Sequence, residues 1–147
     1  MEKHHQSVVE LLQQLNTALA QNAKSPVSGC GLSLFQERLL LHLLEWKDGP
    51  VYATDLHRES GLSRATISAR LKDLRQNGYL ELLSDGTDDR RKRIVLTAKT
   101  LRLEPVLRED ILRCQRQLFS GISLQQSETM KLVLERMLCN LRENQEE

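Results

Sequence analysis

The sequence predicts a mainly α fold with one small β-hairpin. Apolar residues recur at three- and four-residue steps along most of the 147 residues, which is the period of an amphipathic helix. One stretch, residues 79–96, instead offers two short β-type runs around a polar connector. Seven glycines and three prolines are too few for a loop-rich or collagenous chain.

The elements follow in order. Val8, Leu11, Leu12, Leu15, Ala18 and Leu19 line one face of a helix over about residues 3 to 22. Ser25-Pro26-Val27-Ser28-Gly29-Cys30-Gly31 breaks the chain. A second helix carries Leu32, Phe35, Leu39, Leu43 and Trp46 on one side and ends at Asp48-Gly49-Pro50. Val51-Tyr52-Ala53 is a short extended piece. A short helix around Leu56 stops at Ser60-Gly61, where glycine suits the left-handed residue that closes a helix. Ser63 is placed as N-cap of the next helix, whose apolar positions are Ile67, Leu71 and Leu74 and whose end is Asn77-Gly78. Tyr79–Leu83 and Arg93–Leu96 are strand candidates, and Ser84 to Lys92 forms a polar connector longer than a tight turn. Thr97 is a candidate cap for a long helix to about Phe119, which Pro105 is expected to kink or divide near Leu101 to Leu103. After Ser120-Gly121 a last helix runs from about Leu124 to Asn144, with Met130, Val133, Leu134, Met137, Leu138 and Leu141 on one face.

Composition excludes several functions. The only aromatic residues are Phe35, Trp46, Tyr52, Tyr79 and Phe119, too few for a stacking platform that grips single strands. No apolar run reaches the roughly 18 residues that a membrane span needs. The N-terminus leads into an amphipathic segment rather than a signal peptide, and the expectation is a soluble, cytoplasmic protein. Cys30, Cys114 and Cys139 are widely spaced and odd in number, so neither a disulfide framework nor a zinc pair is expected. His4, His5, His42 and His57 lack the spacing that clasps an ion. No nucleophile–base motif, phosphate loop or dinucleotide glycine pattern is present, so no enzyme and no cofactor are expected.

Charge is more informative. The net charge is only +1, but residues 63–102 hold ten Lys/Arg against five Asp/Glu. That stretch is therefore +5 and the remainder −4. A basic middle in a nearly neutral chain is an electrostatic footprint for a polyanion.

The order helix, turn, helix, hairpin is that of a winged helix-turn-helix. Its second helix can lie in a DNA major groove. Ile67, Leu71 and Leu74 supply the face that docks on the domain. Ser63, Arg64, Thr66 and Ser68 are small or polar residues at the opening turns. Arg64, Arg70, Lys72 and Arg75 are cations able to reach phosphates or guanine edges.

Leu62-Ser63-Arg64-Ala65-Thr66-Ile67-Ser68-Ala69-Arg70-Leu71-Lys72-Asp73-Leu74, followed by Asn77-Gly78-Tyr79-Leu80, resembles the recognition helix of MarR-family regulators. Asp88-Asp89-Arg90 and then Leu96-Thr97 resembles that family's wing signature. The flanking helices fit as well, so the resemblance covers nearly the whole chain. Two positions depart from it: Thr100 stands where a glycine is usual, and His57 where an alanine is more usual.

The resemblance implies a homodimeric, sequence-specific regulator of transcription, a repressor, on a pseudo-palindromic operator. It places Ser63, Arg64, Thr66 and Arg70 at the groove, with Ser68, Lys72 and Arg75 as further candidates. It places Arg90 at the wing tip in the minor groove, held by Asp88 through a charge-assisted hydrogen bond. Strand alternation puts Arg91 and Arg93 on one face and Lys92 on the other, so the three cannot all face DNA, and Arg91 and Lys92 are kept as further candidates. A small anionic or aromatic effector between the dimerisation helices and the winged helix is also implied.

Residues 32–100 are then the DNA-binding part, and 1–31 and 101–147 the helical dimerisation part. The stripes Leu11, Leu15 and Met130, Val133, Leu134, Met137, Leu141 exceed what a small winged helix can cover, which points to a second copy. Some relatives sense oxidants through an early cysteine. Cys30 is the candidate here, although no cation lies within five residues of it. Cys114 and Cys139 read as buried packing residues. The alternative reading is a winged helix that binds protein without touching DNA, which the basic stretch 63–102 disfavours.

Overall fold

The computed structural model describes residues 1–22, 31–46, 48–86 and 88–143. Cys30 and the side chain of Asp88 lie outside the described residues. The elements are α1 (Glu2–Asn22), α2 (Leu34–Glu45), β1 (Val51–Tyr52), α3 (Ala53–Ser60), α4 (Arg64–Gln76), β2 (Leu80–Asp85), β3 (Asp88–Leu96), α5 (Ala98–Leu118) and α6 (Leu124–Glu143). The chain divides into two compact parts, Met1–Leu112 and Arg113–Glu147.

In the first part, local chemistry fixes the ends of the elements. Ser33 Oγ accepts from the Gln36 N–H at 3.2 Å, and Gln36 Oε1 accepts from the Ser33 N–H at 2.9 Å. This reciprocal pair starts α2. Gly61, at φ +68°, ends α3 and returns its N–H to the His57 carbonyl. Ser63 Oγ accepts from the Thr66 N–H at 3.1 Å and starts α4. Thus α3, a turn and α4 form the helix-turn-helix.

The core gathers α2, α3, α4, the sheet and α5. Leu40, Leu43, Leu56, Ile67, Leu71, Leu74, Leu80, Ile94 and Leu107 are all buried in it. The side of α4 with Ile67, Leu71 and Leu74 is inward, as its three- and four-residue spacing requires. The sheet is antiparallel with order β1-β3-β2. None of the described residues of α1 is buried.

Two expectations about these elements need correction. The polar connector is mostly strand: β2 runs to Asp85 and β3 begins at Asp88, so the hairpin is tight and its loop is short. Facing strands can pair backbone groups even where every side chain is polar. Pro105 does not divide the long helix, which is continuous from Ala98 to Leu118. Proline deletes one backbone donor, and Leu101, four residues earlier, lies on the exposed side where water can serve its carbonyl. Thr97 stands at the N-cap position before Ala98, where its carbonyl accepts from the Leu101 N–H at 3.1 Å, and its hydroxyl donates to the Gly78 carbonyl at 2.8 Å.

Thr100, which replaces a usual glycine, leaves the start of α5 in place. Its side chain is fully buried, and its hydroxyl donates to the Tyr79 carbonyl. His57 fills the other departure. Its Nδ1 meets the Leu62 carbonyl. A carbonyl only accepts, so Nδ1 carries the proton, and the ring staples the turn of the helix-turn-helix.

In the second part, α6 has no buried residue. Cys139 on it is exposed, with its Sγ 3.4 Å from Glu143 Oε1, and Cys114 is half-buried. The expectation of a buried Cys139 therefore fails for the single chain, because the helix that carries it has no covered face. Among the described residues, no helix is long and apolar enough to cross a membrane.

Candidate nucleic-acid interface

The wing is shaped by an irregularity in β3. Leu80 pairs with Leu96, Leu82 with Ile94, and Ser84 with Lys92, but Asp85 pairs with Asp88. Asp89, Arg90 and Arg91 thus have no counterpart on β2. Unpaired residues interrupt strict alternation and increase twist. Arg90, Arg91 and Lys92 consequently line one groove, which α4 borders on its other side. Arg93 lines a different cleft, with Leu43, Trp46 and Val51. Simple alternation had separated Lys92 from Arg91. The bulge brings them together.

The α4 side of the groove is built from one helix stripe. Arg64, Ser68, Lys72 and Arg75 recur at steps of four and three, and all line it. The floor is apolar, from Ile67, Leu71 and Leu82, and the groove encloses about 730 Å³. Arg64, Lys72, Arg75, Arg90, Arg91 and Lys92 surround it, and among the described residues no carboxylate lines it. Arg64, Lys72, Arg75 and Lys92 have no acidic partner among the described residues. Like charges this close repel one another, so an anion laid across the groove is stabilised by all of them at once.

Tyr52 ties the wing to the helix-turn-helix. It ends β1, pairs with Arg93 of β3, and donates its hydroxyl to the Asp85 carboxylate at the end of β2. The Arg91 guanidinium stacks 3.8 Å from the centre of its ring. The bond to Asp85 raises the phenol above its ordinary value, helped by burial and by the charge of Asp85. Arg91 and Arg93 oppose that shift. Sequence reasoning missed Tyr52 and Asp85. The visible signal was a lone tyrosine at the junction of strand and helix, and a carboxylate before Gly86.

Ser63 and Thr66 sit at the opening of α4, their hydroxyls 2.8 Å apart. Arg70 lies on another side of the helix. Its guanidinium stacks over Phe35 of α2 at 5.0 Å, and burial lowers its pKa. It lines a cavity of about 360 Å³ between α2, α3 and α4, with Arg38, Leu39, His42 and Leu56. The structure therefore separates Arg70 from Arg64, which sequence had grouped. Gln36 Nε2 also donates to Asp73, linking α2 to the recognition helix.

A helix-turn-helix with a three-stranded sheet, and six cations between helix and wing, defines a winged-helix fold with a cationic groove. Residues 31–91 match the model of the MarR family. Across the chain, the fold is similar to MepR from S. aureus, solved as a DNA complex, with TM-score 0.76 and 22% identity over 91% of this chain and 97% of that one. It is similar to a probable transcriptional regulator from Pseudomonas aeruginosa, with TM-score 0.69 and 26% identity over 88% and 96%. It is also similar to PcaV from Streptomyces coelicolor, solved with its natural ligand, with TM-score 0.70 and 21% identity over 89% of each chain. No curated protein matches by sequence. Residues 31–91 are thus similar to the MarR family, and the fold of the chain is similar to that of solved transcription regulators.

Proposed function

We propose that the protein is a homodimeric repressor that binds a pseudo-palindromic operator. The observation that carries this reading is the groove itself: six cations from two elements, with no carboxylate in its lining among the described residues. Duplex DNA offers roughly one negative charge per 1.7 Å of axis. Arg64 and Ser68 reach base edges from the first turns of α4, with Ser63 and Thr66 at its opening. Lys72 and Arg75 hold phosphates. Arg90 enters the minor groove, and Arg91, held on Tyr52, follows the backbone beside it with Lys92.

Residues 32–100 serve this contact. Residues 1–31 and 101–147 serve dimerisation, through Leu11 and Leu15 on α1 and Met130, Val133, Leu134, Met137 and Leu141 on α6. All of these except Leu134 are exposed in the single chain. Selection of bound fragments from random duplex DNA, followed by mobility shift, tests the reading. Enrichment of a two-fold symmetric motif is expected. Equal weak binding to every duplex at low salt overturns it.

The cavity at Arg70 supports an effector of the expected chemistry. Arg38 and Arg70 have no acidic partner among the described residues, the one carboxylate in the lining, Glu59, is paired with His42 at 3.0 Å, and Phe35, Leu39 and Leu56 supply apolar walls. A planar aromatic carboxylate fits such a site, its charge on the arginines and its ring on the walls. Bound between α2, α3 and α4, it releases DNA only if it prefers the conformation that DNA does not. Benzoate is a simple probe. Its binding should disappear in Arg70→Met, and retained binding there would place the site elsewhere.

A further inference from the structure

Three consecutive carbonyls follow the last turn of α4, and each receives a side-chain donor from the opening of α5. Lys99 Nζ donates to Asn77 at 3.0 Å, the Thr97 hydroxyl to Gly78 at 2.8 Å, and the Thr100 hydroxyl to Tyr79. The Thr97 N–H adds a bond to the Tyr79 carbonyl at 3.2 Å. The Lys99 ammonium also stands 4.2 Å from the centre of the Tyr79 ring. These carbonyls lie past the last turn of α4, so no intrahelical donor reaches them and each needs a partner from elsewhere. Two hydroxyls and a cation are matched to that need. Gly78, at φ +78°, permits the sharp exit that presents these groups to α5.

Thr100 is the innermost of the three. It is fully buried, and Tyr79 and Leu80 on the opposite side of the contact are buried too. A hydroxyl in that position is costly unless it is bonded. It therefore has one low-energy arrangement, and that arrangement fixes the distance between the end of α4 and the first turn of α5. The chain passes through α5 on its way from the wing to α6.

We infer that Thr100 is a positioning residue: through the Tyr79 carbonyl it locks the recognition helix to α5 and so sets the half-site spacing that the protein reads. The inference rests on the DNA-binding, dimeric reading above. A latch that merely stabilised the fold would affect all duplexes alike. A latch that sets geometry affects the spacing preference.

The test uses full-length wild type, Thr100→Val, which keeps the shape and loses the donor, and Thr100→Ser, which keeps the donor. Lys99→Met is a second variant at an exposed position, so its folding is not at risk. Affinities are measured on the duplex selected by wild type and on versions with one base pair inserted or removed between half-sites. Amide exchange at Tyr79 and at Thr97 to Leu101 is followed without DNA. Wild type and Thr100→Ser should discriminate between spacings. Thr100→Val should lose roughly fivefold of that discrimination, the scale of one hydrogen bond, with Lys99→Met changed in the same direction. Amide exchange should quicken in Thr100→Val and not in Thr100→Ser. Losses equal on every duplex, with discrimination unchanged in both variants, overturn the inference while leaving DNA binding intact. A wild type that selects no two-part site overturns the DNA-binding reading, and the inference with it.

Discussion

Leu132 and Leu141 of α6 are 66% and 65% exposed, so each offers the same apolar area to a partner. They are nine positions apart, about two and a half helical turns, and hence on opposite faces. Leu141 belongs to the stripe with Met130, Val133 and Met137. Leu132 does not. Leucine to alanine removes three carbons, about 2.4 kcal/mol at about 0.8 kcal/mol per buried group. Scaled by the exposure still available, the loss for Leu141→Ala is about 1.6 kcal/mol per copy. A two-fold interface counts it twice, so the dimer weakens by about 3 kcal/mol, on the order of a hundredfold in its dissociation constant. Sedimentation equilibrium across a concentration series reads that constant, and helical circular dichroism checks the fold. Leu132→Ala should leave dimerisation close to wild type. Equal effects of the two substitutions, or none from either, would refute the assignment of the stripe.

Four further outcomes are expected. Arg64→Ala should weaken operator binding by roughly 1–3 kcal/mol and hardly touch random DNA; equal losses on both in a mobility-shift titration would make Arg64 a phosphate contact. Arg90→Ala should weaken cognate and non-cognate binding alike and reduce the salt slope by about 0.9. Asp88→Ala should also weaken binding if Asp88 orients Arg90, and a gain in affinity would assign Asp88 to plain repulsion of phosphate. Tyr52→Phe should be less stable than wild type at neutral pH. Because the Tyr52 phenol is raised, the stability it contributes is complete below its ordinary value of 10.0 and is lost as pH rises through the folded value. The gap between the two proteins in denaturant melts should therefore narrow only above pH 10, and a gap that is constant with pH would break the link to Asp85.

What the sequence made legible was local. Gly61, Ser63 and Asn77-Gly78 act on their own neighbours, so the ends of α3 and α4 could be placed from residue type alone. The spacing of Ile67, Leu71 and Leu74 fixed the inward face of α4 in the same way. The departures arose where a distant partner decides. Alternation at Arg91, Lys92 and Arg93 assumed regular pairing, and the three unmatched residues of β3 appear only when β2 is laid beside it. Arg70 is a cation on a recognition helix by sequence, but Phe35, on a different helix, determines where it lies. Tyr52 and Asp85 are separated by 33 positions, and nothing in the local pattern of either announces their bond.

The distribution of charge gives the interface its selectivity of approach. A uniformly basic protein meets a polyanion with any face. This chain carries +5 in residues 63–102 and −4 elsewhere, for a total of +1. The cations are therefore concentrated in the segment that lines the groove rather than spread along the chain. Beyond about 10 Å salt largely screens a charge at ordinary ionic strength, so a phosphate at the groove meets chiefly the groove cations. The salt dependence of binding therefore counts the cations of α4 and the wing rather than the 21 Lys/Arg of the chain. A low net charge is thus consistent with strong, oriented binding to DNA, because the groove, not the total, sets the field that a phosphate meets.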